Sequence, residues 1–259
     1  MLMLSLSEIS IKMAKLSVIV PVFNEGPLLR SFVEKSIASP CPIEREFIFL
    51  DDGSHDDTYA LLTQLSKEFS FQVIRLEKNQ GKGAAVRLGI EKASGDFIMI
   101  QDADFEYDPN DVPTLLKPLL DDQADVVYGS RFKQTSPQVH RTYHYFVNRL
   151  LTALSNLCSG IYLTDMETCY KLFRADLLKS MNLTSRRFEI EVELTAYTAK
   201  TSARIFELPI SYHPRTQLEG KKIGWRDGFY ALYHLIRYNF FHSFNQSFKG
   251  LPEKYYPRS

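Results

Sequence analysis

Two pairs of aspartates follow apolar segments and could bind a cation and a phosphorylated ligand. Asp51 and Asp52 come directly after one such segment, and Asp102 and Asp104 come after another. Residues two apart in an extended segment point to the same side, so Asp102 and Asp104 can present both carboxylates to one cation, with Glu106 next on that side. An all-oxygen ligand set suits Mg²⁺ or Mn²⁺ better than Zn²⁺. For the D-x-D pair taken alone, a solvated loop is the competing interpretation.

The segments that must position these aspartates are predicted to be alternating strands and helices. Short apolar runs alternate with helical periodicity from residue 16 onward, which is typical of βαβ units. Strands are predicted at 17–23, 46–50, 71–76, 96–101 and 126–128. Open α/β folds bind their ligands at the carboxyl ends of the strands, where both aspartate pairs are expected. The predicted fold class is α/β: a single domain with an open, mostly parallel, Rossmann-like sheet flanked by helices.

Charge and composition narrow the possible functions. The chain has 31 Lys and Arg residues against 31 Asp and Glu residues, so we expect no nucleic-acid partner. It lacks a long apolar run and signal-peptide features, which predicts a cytoplasmic protein, with association at the cytosolic membrane face left open. The domain is predicted to span residues 15–245, after a poorly ordered extension at 1–14 and before a C-terminal tail at 246–259.

Six short motifs occur in a fixed order along the chain. They are V-P-V-F-N-E at 20–25, D-D-G-S-H-D-D-T at 51–58, G-K-G-A-A-V-R-L-G at 81–89, A-S-G-D at 93–96, D-A-D at 102–104 and G-S-R at 129–131. Their order and spacing resemble family 2 glycosyltransferases, and most of all the dolichol-phosphate mannosyltransferase and polyprenyl-phosphate hexosyltransferase branch, over about residues 15–238. The resemblance implies a GT-A fold, a nucleotide-sugar donor, a divalent metal and inversion at the anomeric carbon.

The resemblance also implies roles for individual residues. The donor, GDP-mannose or UDP-glucose, is expected to contact Pro21, Asn24, Glu25, Asp51, Asp52, Gly81, Lys82 and Asp102. The metal, Mg²⁺ or Mn²⁺, is expected on Asp102, Asp104 and Glu106. Gly81 and Gly83 could serve either packing or donor contact, and Lys82 is expected to be solvated rather than catalytic.

Basic residues mark a candidate acceptor side. No Asp or Glu occurs between residues 126 and 164, whereas Arg131, Lys133 and Arg149 do, and a second basic cluster contains Arg215 and Lys221. Arginine offers bidentate donors to a phosphate and lysine offers a point charge. The candidate catalytic residues are Asp104, Arg131, Arg215 and Lys221. A solvated loop is the competing interpretation of the second cluster.

The class of acceptor decides whether a base is needed. A lipid phosphate is already an anion, whereas a saccharide hydroxyl must lose a proton to a positioned base. The leading hypothesis is a metal-dependent, inverting glycosyltransferase that moves a hexose, mannose or glucose, from a nucleotide sugar to a polyprenyl or dolichyl phosphate. The alternative is a family 2 enzyme acting on a saccharide hydroxyl, with candidate bases at Asp165, Glu167, Glu189, Glu191 and Glu193. Residues 188–194 alternate like a half-buried strand, although the resemblance implies a helix there.

Two amphipathic segments are candidates for membrane contact. Apolar residues recur at helical spacing between 146 and 157, and an aromatic stripe runs along a predicted helix from 225 to 244. One interpretation is a peripheral membrane face beside the lipid acceptor. The other is burial in the core or in the interface of a homo-oligomer.

Overall fold

The structure of the protein, a computed structural model, describes residues 14–133, 142–214 and 225–257, with the side chains at 142–144 and 225–229 outside that description. The strands of its central sheet are β1 (Lys15–Val22), β2 (Glu44–Asp51), β3 (Gln72–Arg75), β4 (Phe97–Ile100), β5 (Val126–Ser130), β6 (Lys171–Arg174) and β7 (Ile205–Pro209). Their order across the sheet is β3-β2-β1-β4-β6-β5-β7.

The sheet is mostly parallel, as predicted. Strand β6 runs antiparallel to its neighbours β4 and β5, and the other paired strands of the described sheet are parallel. The five strands predicted from apolar runs correspond to β1 to β5. Strands β6 and β7 are additional, and β6 places the segment that precedes it against the carboxyl end of β4.

Helices flank the sheet. They are α1 (Gly26–Ala38), α2 (Thr58–Phe69), α3 (Lys82–Lys92), α4 (Val112–Leu120), α5 (Thr142–Ser159), α6 (Ala175–Ser180), α7 (Ile190–Ala199), α8 (Trp225–Ile236) and α9 (Phe244–Ser247), with a π-helical segment at Arg237–Phe241. Helix α3 lies close against β1, because a Cβ atom at Gly89 would be 2.5 Å from Ile19 Cγ2. None of the helices in the described ranges is long and apolar enough to cross a bilayer.

The segment that alternates like a strand is helix α7, so the helical alternative is confirmed and the strand interpretation is wrong. Its residues from Ile190 to Thr198 are all buried. A helix that is buried on every side carries no apolar stripe, and its sequence therefore shows no helical period. The intervening glutamates, Glu191 and Glu193, are buried because other parts of the chain bond them.

The packed domain extends past the boundary predicted at residue 245. Phe248, Leu251 and Tyr255 are buried in the core. The Tyr255 hydroxyl donates to Asp176 Oδ1 at 3.0 Å, and the Tyr255 carbonyl accepts a hydrogen bond from the Ser202 backbone N–H. The residues predicted as a tail therefore belong to the fold at least as far as Tyr255.

Glu46 fastens β2 to β1 and to the segment after α3. Its Oε2 accepts hydrogen bonds from Ser94 Oγ at 2.8 Å and lies 2.7 Å from Lys15 Nζ, and its Oε1 accepts from Ser17 Oγ and the Ser94 N–H. Burial opposes ionisation of this carboxyl, but the hydrogen bonds from Lys15, Ser17 and Ser94 outweigh burial and lower the pKa of Glu46 to about 2.

We expect Glu46→Gln to destabilise the fold in a pH-dependent way. A lowered carboxyl pKa stabilises the native state above the unfolded pKa of about 4.3, and this contribution is lost as the pH falls through the folded pKa. Urea unfolding should show a loss of about 1–2 kcal/mol at pH 7 that shrinks below about pH 4. The control is Glu44→Gln, whose exposed carboxylate lies 4.0 Å from Lys15 Nζ. A loss that is independent of pH would contradict the expectation.

Candidate active site

The loop after β4 carries the D-x-D motif at the carboxyl edge of the sheet. Asp102 and Asp104 are half-buried there, and Phe105 has a φ of 55°, which is unusual for a bulky residue. Asp104 Oδ1 accepts a hydrogen bond from the Glu106 N–H at 3.2 Å. Glu106 is itself buried, and its Oε2 accepts from the Tyr212 hydroxyl at 3.2 Å. The turn thus keeps the two aspartates at the edge while Glu106 ties the loop to the segment after β7.

The metal site predicted from three carboxylates is not assembled in the described part of the chain. No group of three or more His, Cys, Asp or Glu side chains within it is placed to hold a metal ion. Asp102 and Asp104 still supply the hard oxygen donors that Mg²⁺ and Mn²⁺ prefer. Mg²⁺ is commonly bound by one or two carboxylates together with substrate phosphates, so these residues fit a cation that is shared with a diphosphate.

Lys82 lies inside the site, so the expectation that it is solvated is wrong. Its side chain is 11% exposed, and its Nζ lies 2.8 Å from Asp102 Oδ1 and 2.9 Å from Glu191 Oε1. Burial opposes the charge, but Asp102 and Glu191 outweigh it and raise the pKa of Lys82 well above its ordinary value. Lys82 is therefore a cation that links the D-x-D loop to helix α7.

A second buried lysine continues this chain of charges. Lys171, at the start of β6, is fully buried, and its Nζ forms a short ion pair with Glu191 Oε2. The same ammonium group donates to the carbonyl oxygens of Met166 and Thr168. Glu191 is therefore shared by two cations, and β6, α7 and α3 are fixed around it.

Asp51, at the end of β2, has a buried oxygen with an unused hydrogen-bonding capacity. The residue is fully buried, and its Oδ1 accepts from the Ser54 N–H at 3.3 Å. Its Oδ2 accepts no hydrogen bond from the described residues, although Arg75 Nε lies 3.3 Å away. The Arg75 guanidinium in turn stacks on Tyr59, 4.4 Å from the ring centroid. Pro21, another predicted donor contact, lies on β1 beside β2.

Asp52 positions the glycine-rich loop. Its two carboxylate oxygens accept hydrogen bonds from the backbone N–H groups of Gln80 and Gly81, each at 2.7 Å. Gly81 has a φ of 96°, and a Cβ there would lie 2.4 Å from the Arg186 carbonyl oxygen. A Cβ at Gly83 would also come within 3.0 Å of the backbone at 185–187. Close packing against this segment accounts for both glycines.

The turn after β1 is built from backbone groups and short polar side chains. Asn24 has a φ of 54°, and its N–H donates to Ser54 Oγ at 3.0 Å. Asn24 Oδ1 accepts from the His55 N–H at 2.9 Å, and the Glu25 N–H donates to Thr58 Oγ1 at 3.0 Å. The predicted donor residues Asn24 and Glu25 are thus held beside the end of β2.

Arg131 is committed to an internal ion pair. Its Nε and Nη2 donate to the two oxygens of Asp165, each at 2.7 Å, and both side chains are buried. The Arg131 guanidinium also lies 5.3 Å from the Tyr212 ring centroid. Burial opposes the charge, but Asp165 outweighs it and raises the pKa of Arg131. The described contacts therefore satisfy a group that the sequence suggested for phosphate binding.

Two predicted site residues lie outside the described part of the chain, and two residues of the site were not predicted from the sequence. Arg215 and Lys221 lie outside the described residues. The contributions of Lys171 and Arg75 were not predicted from the sequence. A signal existed for Lys171, because a lysine that begins the apolar run K-L-F at 171–173 must be bonded if that strand is central.

Comparison with known proteins places this arrangement in a family. Residues 17–181 match the model of glycosyl transferase family 2. The chain is 28% identical over 212 residues to a dodecaprenyl-phosphate galacturonate synthase of Rhizobium johnstonii, covering 78% of this chain and 60% of that protein. It is 27% identical over 239 residues to a UDP-N-acetylglucosamine–dolichyl-phosphate N-acetylglucosaminyltransferase of Methanococcus voltae, covering 84% and 93%.

A solved structure supports the fold. The glucosyl-3-phosphoglycerate synthase of Mycobacterium tuberculosis, crystallised with Mn²⁺, UDP-glucose and phosphoglyceric acid, superposes with a TM-score of 0.64 at 21% identity, covering 87% of this chain and 79% of that one. The GT-A fold is therefore shown. Taken with the family match over most of the chain, these findings establish that the protein belongs to glycosyl transferase family 2 and is a glycosyltransferase.

Proposed function

We propose that the protein is an inverting, metal-dependent enzyme that transfers a hexose from a nucleotide sugar to a polyprenyl phosphate. The observation that carries the proposal is the meeting of two acidic elements at one sheet edge. The D-x-D loop and the end of β2 both adjoin the end of β1, and Asp51 offers a buried oxygen that the described residues leave without a hydrogen bond. These features suit a nucleotide at one end and a diphosphate at the other.

The donor would be held by the residues around β1 and β2. Asp51 Oδ2 can accept a hydrogen bond from an N–H group of the base, and the 21–25 turn is proposed to hold the ribose. Asp52 and Gly81 act through the loop that begins α3. Because Lys82 already neutralises Asp102, a divalent cation on Asp104 and Asp102 would share its charge with the donor diphosphate. When bound, Mg²⁺ or Mn²⁺ supplies Lewis-acid stabilisation of the leaving group.

The contacts of three candidate bases favour a phosphate acceptor over a hydroxyl acceptor. Both oxygens of Glu191 are bonded to lysines, and those of Asp165 are bonded to Arg131. The oxygens of Glu193 accept hydrogen bonds from Thr184 and Ser185. To act as a base for a hydroxyl, any of these three carboxylates would have to be freed from such contacts, whereas a phosphate acceptor needs no base. Two relatives are named for dodecaprenyl and dolichyl phosphate, which points to the same class.

Cations outside the described residues complete this proposal. Arg215 and Lys221 are proposed to bind the acceptor phosphate. Arg131, already paired with Asp165, is proposed to hold the acceptor side in shape.

A peripheral membrane face is proposed beside that acceptor side. Phe146, Leu150 and Leu157 of α5 are each at least 60% exposed, and Tyr233 and Phe240 at the α8 end are similarly exposed. Helices α5 and α8 pack against each other, so these exposed side chains belong to neighbouring elements. Large exposed apolar side chains on neighbouring helices suit an interaction surface, and a lipid-linked acceptor makes a bilayer the fitting partner.

We expect Asp104→Asn to abolish metal-dependent donor binding. Isothermal titration with UDP-glucose and GDP-mannose should show that Mn²⁺ strengthens binding of one donor by at least about tenfold over excess chelator in the wild type. Asp104→Asn should remove this gain because an anionic ligand is lost while the volume is kept. Asp121→Asn, an exposed residue of the same type, is the control. Wild-type turnover in excess chelator would contradict metal dependence.

A transfer assay with the same purified protein determines the class of acceptor. Transfer from the preferred donor should proceed to a polyprenyl phosphate and fail with the corresponding polyprenol or a free saccharide. Transfer to a hydroxyl would instead support the alternative family 2 activity.

We expect the protein to float with anionic vesicles at low salt. Apolar burial and attraction of basic residues combine at such a surface, so added salt should weaken association. Changing both Phe146 and Leu150 to Ser should reduce flotation, and Phe23→Ser, on the turn after β1, serves as the control. A self-association that the double variant abolishes, without vesicle binding, would assign this face to a homo-oligomer.

We expect Arg131→Met mainly to lower the stability of the fold rather than to weaken acceptor binding. It leaves Asp165 buried without its cation, which costs about 3–5 kcal/mol in the free energy of unfolding. Adding Asp165→Leu should restore most of the loss, and Lys117→Met, which removes the cation of an exposed ion pair with Asp121, is the control. Unchanged stability with a raised acceptor requirement would identify Arg131 as a phosphate ligand.

A further inference from the structure

One short segment concentrates unsatisfied polar groups. Among the described residues, five buried side-chain polar atoms have no hydrogen-bond partner, and three of them belong to Glu167, Thr168 and Tyr170, between α5 and β6. Buried polar atoms normally have a hydrogen-bond partner, so a cluster of buried atoms without one suggests that a bound ligand supplies the partner. Glu167 Oε1 is the one atom of the three that belongs to a carboxyl group.

The segment that carries Glu167 connects the two halves of the site. Asp165, two positions before Glu167, pairs with Arg131, and Lys171, four positions after it, pairs with Glu191 and donates to the carbonyl oxygens of Met166 and Thr168. Glu191 bonds Lys82 and so belongs to the donor side, whereas Arg131 and Asp165 form the acceptor-side pair. The Lys171 ammonium group donates its hydrogen bonds to Glu191 and to two carbonyl groups. These cations therefore leave Oε1 without a bond.

These surroundings also favour an uncharged carboxyl. Burial, followed by the charge of Glu191 on α7, raises the pKa of Glu167 to about 7, while Lys171 on β6 and Arg131 after β5 act in the opposite direction. Asp165, on the same segment as Glu167, raises it further. A neutral carboxyl can both donate and accept a hydrogen bond, as a sugar hydroxyl can.

We propose that Glu167 Oε1 binds a hydroxyl group of the transferred sugar. The inference rests on the proposed function and specifies its sugar subsite. In a direct displacement the sugar lies between the leaving diphosphate and the acceptor. Glu167 lies on the segment that joins the Arg131–Asp165 pair to Lys171, which pairs with Glu191 of the Asp102–Lys82–Glu191 chain. An uncharged group there binds the sugar without repelling an incoming phosphate.

The test separates the sugar from the rest of the donor. With Mn²⁺ present, we would titrate wild type, Glu167→Ala and Glu167→Gln with UDP-glucose and GDP-mannose, and with UDP and GDP. Glu167→Ala should weaken binding of the preferred sugar nucleotide about tenfold and leave the matching nucleoside diphosphate within about twofold. The exposed Glu253→Ala is the control. Because Oε1 has no hydrogen-bond partner among the described residues, thermal unfolding of Glu167→Ala should stay close to that of the wild type.

The pH dependence gives a second readout. Glu167 is protonated below its pKa, so wild-type binding of the sugar nucleotide should weaken from pH 6 to pH 8 relative to Glu167→Gln, which should restore most of the affinity lost in Glu167→Ala. Unchanged sugar-nucleotide binding by Glu167→Ala overturns the sugar role alone. Loss of turnover in Glu167→Gln with intact binding overturns it in favour of a general base. No Mn²⁺-dependent binding of either donor by the wild type overturns the proposed function and the sugar role with it.

Discussion

The candidate site depends on the compensation of buried carboxylates. Asp102, Lys82, Glu191 and Lys171 alternate in sign and bond in series. Removing one partner of a buried ion pair leaves a charge whose desolvation is uncompensated, which costs several kcal/mol. The series joins the D-x-D loop, α3, α7 and β6. Electrostatics therefore fixes the relative positions of elements that apolar packing alone would leave adjustable.

On the acceptor side, a buried carboxylate is likewise compensated by a cation, here an arginine. Arg131 spans both oxygens of Asp165, and a planar guanidinium matches a carboxylate in a way that an ammonium group does not. Glu207 of β7 holds the same segment by accepting hydrogen bonds from the backbone N–H groups of Thr164 and Asp165. The segment that carries Glu167 is consequently rigid at its start, and β6 fixes its end.

Local patterns predicted most of the fold and the acidic pairs, but they failed where distant partners decide the outcome. Five strands and the D-x-D loop could be predicted because apolar runs and their stops are properties of neighbouring residues. Lys82 was expected in solvent because nothing near it indicates Glu191, which is 109 positions away. Arg131 was assigned to phosphate because Asp165 is 34 positions further on. Helix α7 showed no helical period because every side of it is buried, and β6 and β7 are short strands that contain charged residues.

Under the proposed function, the balance of charge in the site bears on how each anionic ligand is neutralised. Lys82, Lys171 and Arg131 are paired with Asp102, Glu191 and Asp165, so these three cations have little spare positive charge to attract an anion. A nucleotide sugar carries a dianionic diphosphate, and a divalent cation bound with it makes the pair nearly neutral. Desolvating this pair costs less than desolvating either charged partner alone. An acceptor phosphate brings no such counterion. Its charge has to be met by additional basic residues, and under the proposed function these belong to the cluster that contains Arg215 and Lys221.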